Sequence, residues 1–81
     1  MTPKINNIIC SADTLDMSVF FQDGTTKTYN FKQLTKERPE FRIFSIFPEL
    51  FTMGKVDSGG YGVFWDDFTD ISGTELYENG Y

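Results

Sequence analysis

Apolar and polar positions alternate strictly in one segment of this 81-residue chain. In the stretch TLDMSVFF, the odd-numbered positions from 15 to 21 are all apolar, whereas the even-numbered positions carry Asp16, Ser18 and Phe20. Successive side chains of a strand point to opposite faces, so this pattern predicts a half-buried strand. The isoleucines of the preceding stretch KINNIIC predict a first, irregular strand.

A hairpin is predicted after this strand, because the dipeptide Asp23-Gly24 is a strong turn signal. A two-residue turn would leave Tyr29 and Phe31 on the polar face of the next strand. A three-residue loop at residues 22–24 instead pairs Met17 with Tyr29 and keeps the apolar residues on one face. The pattern therefore favours the three-residue loop, with Gly24 in the left-handed conformation that glycine adopts without steric cost.

Short helices are predicted in the middle of the chain. The segment NFKQL predicts a single helical turn capped by Asn30. Further along, EFRIFSIFPELFTMG has aromatic residues at helical spacing, but Pro48 would break a long helix. We therefore expect a short helix that begins at Pro48 and ends before Gly54.

A second hairpin is predicted in KVDSGGYGVFW, with its turn at residues 58–60. Alternation along its second strand places Tyr61, Val63 and Trp65 on one face and Phe64 on the other. The core face of the predicted sheet then carries eight residues: Leu15, Met17, Val19, Phe21, Tyr29, Phe31, Val63 and Trp65.

The sequence SGTE matches a capping box near the end of the chain. In such a box, Ser72 accepts from the amide of Glu75 while the Glu75 side chain bonds back to the start of the helix. We expect a C-terminal helix that begins here, packs Leu76 and Tyr77 on the end of the sheet, and ends at Gly80.

Composition indicates a folded protein, since 40% hydrophobic and 17% aromatic residues are too many for a disordered chain. The length predicts a single domain over residues 1–81. The net charge is −5 and the seven Lys and Arg residues are scattered, which argues against binding of double-stranded nucleic acid. Histidine, the commonest general base and metal ligand, is absent.

The cellular location is predicted from two sequence patterns, a signal peptide and a membrane-spanning stretch. The chain shows neither a signal-peptide pattern nor an apolar stretch approaching the ~20 residues of a spanning helix, so we expect a cytoplasmic protein. Cys10 is the lone cysteine and lies in an apolar strand. We expect it to be a buried, unreactive thiol.

Carboxylates are concentrated at Asp66, Asp67 and Asp70. Their spacing does not match a calcium loop, although three nearby acids can chelate a hard cation weakly. A structural interpretation accounts for them better, because aspartates favour turns and negative charge is favourable at a helix N-terminus. We therefore expect no metal and no cofactor, and keep a metal site at these residues as the alternative.

The chain resembles the bacterial domain-of-unknown-function family 2442 from about Ile5 to Glu78. The resemblance is carried by LDMSVFFQDGTTKTYNF, ELF, a Trp and LYENG in that order. Two positions depart from the family pattern: Asn30 replaces a common Asp, and Phe68 replaces a common turn Gly. The second departure is the more serious, since Phe tolerates positive φ poorly.

The resemblance implies an α+β domain with a curved antiparallel sheet and no established activity. With the two predicted hairpins, we expect about five strands in that sheet, accompanied by short helices. The resemblance also implies a companion protein, since family members often accompany another small domain in toxin–antitoxin-like gene pairs.

We expect a non-catalytic protein-interaction module, the antitoxin-like or accessory member of such a pair, with a basic partner encoded by a neighbouring gene. One alternative is a weak divalent-metal-dependent enzyme that uses the three aspartates at 66, 67 and 70. The other alternative is a single-stranded nucleic-acid binder that combines aromatic stacking with a mild basic middle. Its basic residues would be Lys27, Lys32, Lys36, Arg38 and Arg42.

The predicted partner-binding surface comprises Phe20, Phe64, Phe68 and Tyr81. Phe20 and Phe64 point away from the core face of the expected sheet, on a side that is normally polar. Either another element covers them, or they form an exposed apolar patch of the kind that marks interaction sites. In the second case, replacing Phe20 and Phe64 by Ser abolishes binding and leaves the fold intact.

Overall fold

The computed structural model describes all residues from Met1 to Tyr81 and has an α+β architecture with two antiparallel sheets. The elements in chain order are β1 (Ile5–Ser11), β2 (Asp16–Phe21), β3 (Thr26–Asn30), α1 (Lys32–Glu37), a 3₁₀ turn (Pro39–Phe41), α2 (Ile43–Ile46), α3 (Pro48–Phe51), β4 (Lys55–Val56), β5 (Gly62–Asp66), β6 (Thr69–Ser72) and α4 (Gly73–Asn79). None of the helices is long and apolar enough to cross a membrane.

The expectation of one curved sheet of about five strands is wrong. Strands β1, β2 and β3 form one three-stranded sheet, and β4, β5 and β6 form another. Strand β4 lies beside β1. A single backbone hydrogen bond joins β1 to the hairpin of β4 and β5: the amide of Ile5 donates to the carbonyl of Gly60 at 2.7 Å. The two residues of β4 form their ladder with β5 and not with β1, so the two sheets stay separate.

The register of the first sheet follows the apolar pattern, as predicted. Met17 pairs with Tyr29, and a three-residue loop at residues 22–24 joins β2 to β3. Gly24 has φ 91° and its amide bonds to the carbonyl of Phe21, which confirms the left-handed loop. Strand β1 is irregular as expected, with a bulge between Ile5 and Asn7.

The helical middle of the chain is longer than the sequence indicated. The Asn30 side chain accepts from the amide of Lys32 at 3.0 Å, and α1 then continues for six residues rather than one turn. The 3₁₀ turn and α2 were not predicted. Pro48 does begin α3, as expected, because its fixed φ suits a first helical position.

A bulge at Trp65 and a tight turn after it lead β5 into a further strand. Strand β5 carries one extra residue between Phe64 and Asp66, and the chain then turns at residues 67–68 into the unpredicted strand β6. The amide of Phe68 bonds to Oδ1 of Asp66 at 2.8 Å, and φ at Phe68 is not positive. Phe therefore fits at this position without the backbone conformation that a Gly would have allowed.

The core lies between the two sheets and the helices, and Phe31 is fully buried at its centre. Seven of the eight predicted core residues are buried, and Trp65 is half-buried at the margin of the core. Its ring packs against four phenylalanines, and its indole N–H donates to the carbonyl of Phe51 at 2.9 Å. The remaining buried apolar residues are Ile5, Phe41, Phe44, Phe51, Ile71 and Leu76.

The C-terminal helix begins with half of the predicted capping box. Oγ of Ser72 accepts from the amide of Glu75 at 3.1 Å. The Glu75 carboxylate does not return to the helix start as predicted, because it accepts from the hydroxyl of Tyr29 at 2.8 Å. Gly80 ends α4 as expected, but with φ −76° rather than a left-handed backbone.

Candidate protein-interaction surface

The net charge of the molecule comes entirely from residues 54–81. This segment contains six Asp and Glu residues and only one basic residue, Lys55, whereas residues 1–53 contain six acidic and six basic residues. The segment forms the second sheet and α4. The excess of carboxylates is therefore carried by β4, β5, β6, α4 and their connections, which we call the acidic segment, and residues 1–53 are electrically balanced.

Exposed aromatic side chains belong to the same acidic segment. Val63 and Ile71 face the core, so alternation places Phe64 on the outer face of the second sheet, between Lys55 and Asp70. Phe64 is 40% exposed. Phe68 is 85% exposed at the turn between β5 and β6, directly after two aspartates. Both residues belong to the predicted partner-binding set.

The other two predicted residues lie on the first sheet. Phe20 points away from the core and is half-buried, opposite Thr26 of β3. Tyr81 exchanges two backbone hydrogen bonds of 2.9 Å with Thr28, so its side chain lies on the same outer face as Phe20. Tyr81 is 79% exposed. The structure thus divides the predicted surface into two pairs, one on each sheet.

A small notch on the outer face of the second sheet adjoins Phe64. Gly62 forms its floor, and no other residue fits there, because an added Cβ would lie 2.6 Å from the carbonyl oxygen of Ile71. The notch has a volume of about 170 Å³. We call it the Gly62 notch; its other lining residues are Asp57, Tyr61, Val63, Phe64, Asp70, Ile71 and Ser72.

The carboxylates at the Gly62 notch have no cationic partner within the molecule. The single ion pair in the structure joins Arg38 to Glu40 at 2.7 Å. Oδ1 of Asp57 accepts from the amides of Gly59 and Tyr61, which fixes that carboxylate at one side of the notch. Asp70 makes no side-chain hydrogen bond and lies on β6, at the other side.

An apolar pocket of about 320 Å³ was not anticipated from the sequence. It is lined by Ile43, Phe44, Leu50, Met53, Lys55, Trp65, Asp66 and Thr69. Ile46 and Phe47, which follow Ile43 on the same helical turn, are also exposed. The sequence did contain a sign of this pocket: residues 41–51 include more apolar side chains than one face of a short helix can bury.

The aspartates at 66, 67 and 70 do not form a metal centre in this geometry. No group of three or more Cys, Asp and Glu side chains is arranged to hold a metal ion. Oδ1 of Asp66 closes the turn after β5, and Asp70 lies beside Phe64 on the outer face of the sheet. Asp66 therefore has the turn role that the structural interpretation expected, but Asp70 lies within β6 and not at a helix N-terminus.

Two of the five basic residues proposed for nucleic-acid binding are engaged within the molecule. The Lys27 ammonium lies 5.2 Å from the ring centre of Tyr77. Arg38 pairs with Glu40 and stacks over Phe41 at 4.9 Å. Near the exposed aromatic pair of the second sheet, the three aspartates at 66, 67 and 70 outnumber Lys55, and this excess of carboxylates disfavours a phosphate backbone.

Two groups have raised pKa values because they are removed from water. Burial raises the pKa of Tyr29 to about 12, and its hydrogen bond to Glu75 adds to the shift. Burial alone raises the pKa of Cys10 to about 11. The Cys10 side chain is half-buried rather than buried, and this pKa keeps it a protonated thiol at neutral pH.

Comparisons with protein-family models, with curated proteins and with solved structures found no match to this chain.

Proposed function

We propose that this protein is a non-catalytic interaction module that binds a basic protein through the outer face of its second sheet. The observation that supports this proposal best is that Phe64 and Phe68 are exposed on the acidic segment, which carries all of the net negative charge. Aromatic side chains supply most of the binding energy of many interfaces, and surrounding charges select the partner.

The exposure of Phe68 supports this function because it has no role in the core. Phe68 is 85% exposed, and the turn that holds it is closed by Asp66 and not by packing of the ring. A large apolar side chain held in water loses the free energy that its burial would provide, about 2 kcal/mol for Phe. A partner that covers Phe68 and Phe64 recovers part of this free energy.

The proposal extends to the kind of protein that the surface binds. We propose membership of family 2442, and with it a companion protein encoded by a neighbouring gene, for which this chain is the antitoxin-like or accessory member. The charge of −5 favours a basic companion, because opposite charges accelerate encounter and suppress pairing with other acidic proteins.

The test compares two matched double variants in a capture experiment from native cells. We expect Phe64→Ser with Phe68→Ser to lose the captured protein, because both anchors of the proposed surface are removed. Phe20→Ser with Tyr81→Ser is the control, because it removes two aromatic side chains from the other sheet. Captured proteins are identified by mass spectrometry, and thermal unfolding verifies that each variant is folded.

The charge contribution is tested by the salt dependence of the same capture. We expect release of the partner as the salt concentration rises well above 0.15 M, where screening shortens the range of charge interactions to below about 8 Å. Loss of capture by the control variant alone would assign binding to the first sheet and contradict the proposal. Capture of acidic proteins only would also contradict it.

A further inference from the structure

We propose that the Gly62 notch receives an arginine side chain of the basic partner. This inference rests on the proposed function and adds the chemistry by which the acidic sheet selects its partner. The notch combines a floor without a side chain, two aromatic rings and two carboxylates that have no cationic partner. This combination suits a planar cation.

The position of the notch follows from the pairing of the second sheet. Gly62 lies on the central strand, opposite Ser72 of β6. On the other side, the carbonyl of Gly62 accepts from the amide of Asp57 at 3.0 Å. Asp57 and Asp70 therefore stand on opposite sides of β5, with the open space above Gly62 between them.

The aromatic residues supply the walls along the strand. Tyr61 precedes Gly62 and is exposed, and Phe64 follows it on the same outer face. Aromatic rings attract cations through their faces, and arginine is the cation that most often stacks on them. The Lys4 ammonium already lies over the Tyr61 ring, 5.4 Å from its centre, so Phe64 is the ring of the notch that has no cation of this chain over it.

Arginine fits the notch better than lysine for a geometric reason. The guanidinium group presents five N–H donors in a rigid plane, so one group donates toward carboxylates on two sides while its face lies against a ring. The ammonium of lysine is a compact, strongly hydrated point charge that is satisfied by one carboxylate in water. A volume of about 170 Å³ also excludes drug-sized ligands and cofactors, which need roughly 300 Å³ or more.

The experiment titrates the isotope-labelled protein with short capped peptides and follows its amide resonances by NMR. The probes are Gly-Arg-Gly, Gly-Lys-Gly and Gly-citrulline-Gly, where citrulline keeps the shape of arginine and removes its charge. We expect saturable shifts at Tyr61, Gly62 and Asp70 with the arginine peptide. We also expect weaker shifts with the lysine peptide and none with the citrulline peptide.

Two charge-matched variants locate the binding site. Asp70→Asn removes one carboxylate of the notch and is expected to weaken arginine binding roughly two- to fivefold, the scale of an exposed ion pair. Asp13→Asn changes the net charge equally at an exposed turn of the first sheet and is expected to leave the affinity unchanged. Equal effects of the two variants would mean that arginine responds only to net charge, and would overturn the proposal.

The peptide titration and the capture experiment can fail independently of each other. Shifts of equal size with arginine and citrulline, or shifts confined to the pocket beside Trp65 or to the face that carries Phe20, would remove the notch as an arginine site. The capture experiment with Phe64 and Phe68 would still stand, because it depends on the aromatic anchors. If the notch binds arginine but capture is unaffected by those anchors, the arginine site holds and the proposed interface fails.

Discussion

At the scale of single residues, two positions in the first sheet have a left-handed backbone for different reasons. Gly24 has φ 91° in the loop between β2 and β3, and nothing lies within 4 Å of a Cβ built there. Leu15 has φ 58° although its side chain is buried in the core. Its amide closes the preceding turn by bonding to Ser11, so burial and turn closure offset the strain at a residue that rarely adopts this conformation.

Gly24→Ala is expected to destabilise the protein by about 1 kcal/mol, and Gly24→Asn by less, because Asn visits the left-handed region at lower cost. The cost is purely conformational, since the added Cβ meets no neighbour. Urea unfolding followed by Trp fluorescence measures both variants against the wild type. Equal stability of the two variants would show that backbone strain at position 24 does not control the loop.

At the scale of elements, one partly buried hydrogen bond between side chains links α4 to β3. The hydroxyl of Tyr29 donates to the Glu75 carboxylate, and the Ser72 side chain caps the same helix. The end of the chain is fixed by Tyr81, which pairs with Thr28 at the edge of β3. These bonds cover an edge strand that would otherwise present free backbone groups.

The free energy of unfolding is expected to fall as the pH rises from about 9 to about 12. In the folded protein the pKa of Tyr29 is raised to about 12 and that of Cys10 to about 11. In the unfolded chain both groups lose their protons at lower pH, near about 10 and 8.5 respectively. The stability that these protons provide is complete below the unfolded pKa values and is lost as the pH passes through the folded ones.

The measurement is the urea midpoint at a series of alkaline pH values. Tyr29→Phe with Cys10→Ser is expected to show a flatter pH dependence than the wild type, because neither replacement side chain ionises in this range. Tyr29→Phe alone removes the hydrogen bond to Glu75 and lowers stability at neutral pH as well. A double variant with an unchanged alkaline slope would assign the loss of stability to other groups.

At the scale of the whole molecule, Trp65 connects the second sheet to the helical segment. It is the extra residue of the bulge in β5, and its ring packs against Phe41, Phe44 and Phe51. Its N–H satisfies the carbonyl of Phe51, the last residue of α3. The residue therefore joins two parts of the chain that share no strand pairing.

Trp65→Ala is expected to lower the free energy of unfolding by about 3 kcal/mol, because it removes ring packing and leaves a carbonyl without its donor. Trp65→Phe is expected to cost about 1 kcal/mol, since most of the ring contact is kept. Phe64→Ala is the control, and its cost stays small because Phe64 lies on the outer face of the sheet. Chemical denaturation followed by circular dichroism measures the free energy of unfolding of all three variants. A Trp65→Ala protein as stable as the wild type would contradict this role of Trp65.

Local sequence determined those features of the protein that depend on a few neighbouring residues. The register of β2 and β3 follows from alternation, since a one-residue slip would expose every apolar side chain of the face. The left-handed Gly24, the start of α3 at Pro48 and the Ser72 cap also follow from local chemistry. Each is decided by steric limits or hydrogen bonds within a few residues.

The tertiary structure decided what depends on segments far apart in the chain. The division into two sheets is one such feature, because β4 forms its ladder with β5 and lies beside β1 without pairing with it. The same division separates Phe20 and Tyr81 from Phe64 and Phe68, which the sequence could not distinguish. It also turned the Glu75 carboxylate toward Tyr29. The Gly62 notch is assembled from β5, β6 and the connection between β4 and β5, because a side chain's neighbours across a sheet are set by packing and not by its own position in the sequence.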